Sequence, residues 1–100
     1  MGESIVVIGL TMIKVRPGYE KSAYRALQKR SEIKDIYSLF GEFSFFLVMQ
    51  AEGRPKLDQL IVDIRKEDTV VKTSPVMVAI GSDHADSTFL HIAERAYAFN

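Results

Sequence analysis

Residues 37–51, YSLFGEFSFFLVMQA, place a glycine between two apolar runs, as a hairpin would. On a strand the second run alternates between two faces. Phe43, Phe45, Leu47 and Met49 lie on one, Ser44, Phe46, Val48 and Gln50 on the other. A strand in a small antiparallel sheet ordinarily has one core face and one wet face. Here most positions on both faces are apolar, so the second face also needs cover.

Residues 5–16, IVVIGLTMIKVR, repeat the pattern. They are rich in β-branched residues, carry apolar groups on both faces and stop at Pro17-Gly18, which predicts a long first strand. Over 19–30, Tyr19, Ala23, Ala26, Leu27 and Arg30 fall on one helical stripe. Glu20 stands in its first turn and Lys29-Arg30 in its last, the charge order that the helix dipole favours. Residues 34–40 read as a second strand ended by Gly41-Glu42, and 43–51 as a third stopped by Glu52-Gly53-Arg54-Pro55. Leu57, Leu60, Ile61 and Ile64 then repeat at i, i+3, i+4 and i+7, which predicts an amphipathic helix over about 55–67. Residues 69–80 read as one further strand with Pro75 inside it, which confines that strand to a sheet edge or a bulge.

The order β-α-β-β-α-β is the split βαβ, or ferredoxin-like, arrangement. We therefore expect an α+β fold: a four-stranded antiparallel sheet, both helices on one face, and the first and third strands central. Residues 1–81 are expected to form this domain. In residues 82–100, Asp86, Ser87 or Thr88 can cap a last helix with Phe89, Ile92, Ala93, Ala96 and Tyr97 on one stripe, a C-terminal helical extension. An exposed apolar sheet face is rare on soluble monomers, so a second copy packed sheet against sheet is the expected cover. The alternative is the C-terminal segment folded back over the sheet.

Composition excludes several classes. The chain has 100 residues, a size that suits one domain. Thirteen basic and thirteen acidic residues balance, without the basic excess of a nucleic-acid binder. No apolar run is long enough to span a bilayer. Cysteine is absent, so disulfides, thiolate metal sites and cysteine nucleophiles are excluded. A cytoplasmic protein with no membrane and no direct nucleic-acid partner is expected. His84 and His91, with Asp83, Asp86 and Glu94 nearby, fall short of a metal site, because His91 and Glu94 supply only two ligands at helical spacing. No metal or cofactor is expected, and no nucleophile–base pair stands out. The chain is expected not to be an enzyme. The rival on that side is a small cofactor-free monooxygenase, a class that shares this strand order.

With the elements placed, MIKVRPGYEKSAYRAL (12–27) and EIKDIYSLFGEFSFFLVMQAEG (32–53) resemble the effector-binding domain of the leucine- and asparagine-responsive transcriptional regulators, the Lrp/AsnC family. The marks are the strand entering R-P-G-Y-E, the I-x-x-I-Y-S-L-F-G-E-F hairpin, and a last strand with a threonine near its start. The resemblance covers roughly residues 5–80 and leaves no room for the family's helix-turn-helix, so a stand-alone effector domain is expected. It implies dimers facing through their sheets and assembling into rings, commonly octamers of four dimers. It also implies a small effector, usually an amino acid, near the turn between the second and third strands. Full-length regulators of the same family are possible partners under it, and a ligand-free assembly partner of such regulators is the alternative function. Carried over by position, the ligand-binding residues are Gly41, Glu42, Phe43, Ser44, Thr73 and Pro75. Two of them depart from the family pattern. The turn that usually reads G-x-x-D has Ser44 in the acidic place, and the second threonine of T-x-T is Pro75. The resemblance therefore points to a ligand unlike an ordinary amino acid, or to a site that has been lost.

Overall fold

The computed structural model describes residues 5–81. The elements run β1 (Val6–Val15), α1 (Glu20–Gln28), β2 (Ile33–Ser38), β3 (Phe45–Glu52), α2 (Arg54–Arg65), β4 (Val70–Thr73) and β5 (Met77–Gly81). The sheet is antiparallel in the order β2-β3-β1-β4, with β5 also paired to β1. This is the expected α+β, ferredoxin-like fold, with β1 and β3 central. The expected C-terminal helix, and the division at residue 81, fall on or next to residues outside the described ones.

One expectation is corrected. The strand read as continuous over 69–80 is two strands, β4 opposite Ile13–Val15 and β5 opposite Val6–Leu10. Pro75 is the physical reason, because it has no N–H for the ladder and its ring fixes φ. Ser74 bridges the gap. Its N–H donates to the Met12 carbonyl at 2.9 Å, and its Oγ accepts the Met12 N–H at 2.8 Å. A side chain thus stands where a strand carbonyl would have been. The two half-strands still form one sheet edge, where a proline is tolerated.

Both helices lie on the same face. Ala23 and Leu27 of α1, and Leu57, Leu60, Ile61 and Ile64 of α2, join Val7, Ile13, Val15, Phe45, Leu47, Met49 and Ala51 in one buried cluster. The α2 residues are those the i, i+3, i+4, i+7 stripe selects. Gly9 makes the close approach possible: a Cβ there would sit 2.9 Å from Leu57 Cδ1 and 3.2 Å from Met49 Cε. On the other face Ile8, Leu10, Phe46 and Val48 form a second cluster, with Met12, Tyr37 and Leu39 packed around it. The alternation of the central strands is thus met by two apolar clusters, one on each face of the sheet. Ile8 is 1% exposed, Leu10 2%, Phe46 9% and Val48 0%.

Candidate functional site

The turn between β2 and β3 is built from its hydrogen bonds inward. The Leu39 N–H donates to the Ser44 carbonyl at 2.9 Å and closes the turn, and the Ser44 N–H donates to the Ile13 carbonyl at 2.8 Å. The next β1 amide, Val15 N–H, donates to the Ser44 hydroxyl at 2.9 Å. Ser44 therefore joins the turn to β1 through both its backbone and its side chain. Gly41 sits at the tip with φ of +117°, a conformation that side-chain-bearing residues rarely adopt.

Two further contacts tie the turn to β4. The Lys72 ammonium donates to Glu42 Oε2, and it lies 5.5 Å from the centroid of the Phe43 ring. The hydrogen bond to Lys72, and then its charge, hold the Glu42 carboxyl below the ordinary carboxylate range, with a smaller contribution from Lys14. Thr73 Oγ1 accepts Arg65 Nε of α2 at 3.2 Å, and Pro75 is exposed at the strand break.

The helix side of the turn opens into a cleft of about 440 Å³. Glu20, Lys21, Tyr24 and Arg25 of α1 form one wall; Ser38, Leu39, Gly41, Phe43, Ser44 and Phe45 form the other. Its volume lies within the range of small-molecule sites. Tyr24 and Phe45 pack with ring centroids 6.0 Å apart, so the floor is aromatic. Glu20 Oε1 accepts the Gly18 N–H at 3.0 Å. No ion pair among the described residues engages Lys21 or Arg25. The cleft is therefore a cationic rim over an apolar base, an arrangement suited to a small anion with an apolar tail.

Of the six residues expected to bind a ligand, three line this cleft. These are Gly41, Phe43 and Ser44; Glu42 is paired with Lys72, and neither Thr73 nor Pro75 reaches the cleft wall. The α1 residues were not among them. Their signal was present in the spacing: positions 20, 21, 24 and 25 are neighbours on one side of a helix. Among the described residues no group of three His, Asp or Glu side chains is placed to hold a metal ion, and His84 and His91 lie outside them. No described helix is long and apolar enough to cross a membrane.

No protein-family profile matches the sequence, and no curated protein does. Solved structures match it closely in shape. The hypothetical protein PHS023 from Pyrococcus horikoshii is 28% identical, superposes with a TM-score of 0.70, and is matched over 94% of its length by 78% of this chain. The protein FFRP-DM1 is 27% identical with a TM-score of 0.69, over 97% of its length and 73% of this chain. E. coli AsnC is 18% identical with a TM-score of 0.67, over 52% of its length and 77% of this chain. The resemblance carried by the R-P-G-Y-E and hairpin residues is thus met in the fold. The chain has the ferredoxin-like fold that E. coli AsnC also contains, and it spans about half the length of AsnC itself.

Proposed function

We propose that this chain is a regulatory, effector-binding domain, and that the effector sits in the cleft between α1 and the β2–β3 turn. The observation that carries this reading is the pairing of two cations without an ion-pair partner among the described residues, Lys21 and Arg25, with an aromatic floor beside a glycine turn. Such a rim holds a carboxylate by charge-assisted hydrogen bonds while the floor accepts an apolar side chain. An amino acid or a close metabolic relative has both parts. The AsnC-type fold supports a regulatory role, exercised on transcription or metabolism through partner proteins, full-length regulators of the family among them. The assignment is to binding and not to turnover.

Self-association belongs to the same proposal. Phe40, next to the turn glycine, is 103% exposed, and Val71 and Met77 are exposed along the sheet edge. Aromatic side chains are favoured at interfaces, and a second copy would cover them. Sedimentation of the wild type and of Phe40→Ser tests it. An oligomer that weakens in the variant is expected, and a monomer at all concentrations contradicts it.

Thermal unfolding with a panel of amino acids and their 2-oxo acids tests the ligand. A ligand at 100 times its Kd stabilises by roughly 2.7 kcal/mol, a shift of several degrees for a domain of this size. A second reading, a ligand-free assembly partner, is favoured by the commitment of Ser44 to Val15 and of Glu42 to Lys72. A flat panel from a folded protein would select it.

A further inference from the structure

We infer that the cleft takes a carboxylate without an ammonium group, a 2-oxo acid with an apolar side chain, in preference to the matching amino acid. This rests on the reading of the cleft as the effector site.

The charges on the cleft wall are unequal. Lys21 and Arg25 stand against a single carboxylate, Glu20, and one oxygen of that carboxylate is already engaged by the Gly18 N–H. The nearest other acid, Glu42, is absent from the wall and paired with Lys72 on the β4 side. An α-ammonium brought into this space would meet two positive charges and one carboxylate, a wall of net positive charge. Like charges at such separations disfavour the charged form of a guest, as they do for a side chain.

The polar groups that remain are mainly donors. The Ser44 hydroxyl accepts the Val15 N–H and keeps its own proton to give. Tyr24 brings a phenol that donates as well as accepts. Lys21 and Arg25 donate only. A carboxylate flanked by a keto oxygen presents acceptors to all four, whereas an amino acid presents three additional N–H donors. Phe43 and the Tyr24 ring supply the apolar surface on which a branched or aromatic tail would rest. Donors facing donors leave both without a partner, and this mismatch is the basis of the discrimination.

Calorimetric titration with matched pairs tests this: leucine against 4-methyl-2-oxopentanoate, and phenylalanine against phenylpyruvate. We expect one of the oxo acids to bind about tenfold or more tightly than its amino acid, and Arg25→Gln to weaken it by a similar factor, as loss of a charge-assisted contact does. Arg25 is exposed, so this variant should unfold at the wild-type temperature. Amino-acid binding that equals or exceeds oxo-acid binding, and that is lost in Glu20→Gln, would overturn the inference and leave the effector reading standing. Oxo-acid binding indifferent to both Lys21→Gln and Arg25→Gln would overturn the assignment to this cleft. Binding of neither class would overturn the inference and the effector reading together.

Discussion

The Ser44 hydroxyl accepts the backbone N–H of Val15 at 2.9 Å, while the Ser44 N–H reaches the Ile13 carbonyl of the same strand. The residue that stands in the acidic place of the family's turn is thus part of the sheet. A side chain committed to a β1 amide holds the turn at a fixed height over β1. It also contributes a proton, not a charge, to the cleft.

Ser44→Ala should therefore act on stability first. Removing the acceptor leaves the Val15 amide without its partner in a half-buried position, a loss of about 1–3 kcal/mol. Denaturant unfolding should show a lower midpoint with an unchanged slope. Restored stability in Ser44→Thr, which keeps the hydroxyl, would separate the hydrogen bond from simple packing.

A second hydroxyl contact holds the strand break. Thr11 Oγ1 lies 3.1 Å from the Ser74 carbonyl oxygen and 3.3 Å from Ser74 Oγ, which itself accepts the Met12 N–H. Both residues are buried. Ser74→Ala should cost about 1–3 kcal/mol, because the Met12 amide then loses its acceptor. Hydrogen exchange at Met12 should speed up more than at Leu47, which lies between two intact strands.

Gly9 sets the distance between β1 and α2. Gly9→Val would drive branched carbons into Leu57 and Met49 of the buried core, and overpacking of this kind costs about 1–3 kcal/mol. Gly9→Ala should cost less, since only the ends of two side chains have to shift. Thermal unfolding of the two variants should rank them in that order.

The Glu42–Lys72 pair should give a pH signature of known sign. The Glu42 carboxyl titrates below the ordinary carboxylate range in the folded chain, because the hydrogen bond to Lys72 and then its charge favour the charged form. Its contribution to stability is present above the unfolded value and is lost as pH falls through the folded one. The stability difference between wild type and Glu42→Gln should be constant at neutral pH and shrink as pH falls through the carboxylate range. Added salt should shrink it too, since the pair is exposed. A difference that grows on acidification would contradict the pairing.

Much of this architecture is legible in the residues, for local reasons. The β-branched runs at 5–16 and 43–51, the stops at Pro17-Gly18 and Gly41, and the Leu57–Ile64 stripe each depend on near neighbours. Pro75 marks a disturbed edge strand for the same reason. The division into β4 and β5 was hidden, because it needs Ser74 to meet Met12 across a separation of 62 residues. Alternation at Ile8, Leu10, Phe46 and Val48 correctly signals two buried faces. The cleft was half visible. Gly41, Phe43 and Ser44 follow from the turn, whereas the opposing wall of Lys21, Tyr24 and Arg25 depends on which side of α1 meets it. Glu42 pairs with Lys72, and Thr73 and Pro75, carried over from the last strand, are not on the cleft wall.

The central claim is that a small carboxylate binds between α1 and the turn, and heteronuclear NMR titration tests it most directly. The amide resonances of labelled protein would be followed as 4-methyl-2-oxopentanoate and then leucine are added. The account predicts saturable shifts concentrated at Lys21, Arg25, Gly41 and Ser44, reached at lower concentration with the oxo acid. Shifts centred on Ile8, Leu10 and Val48, or none from any member of the panel, would contradict it.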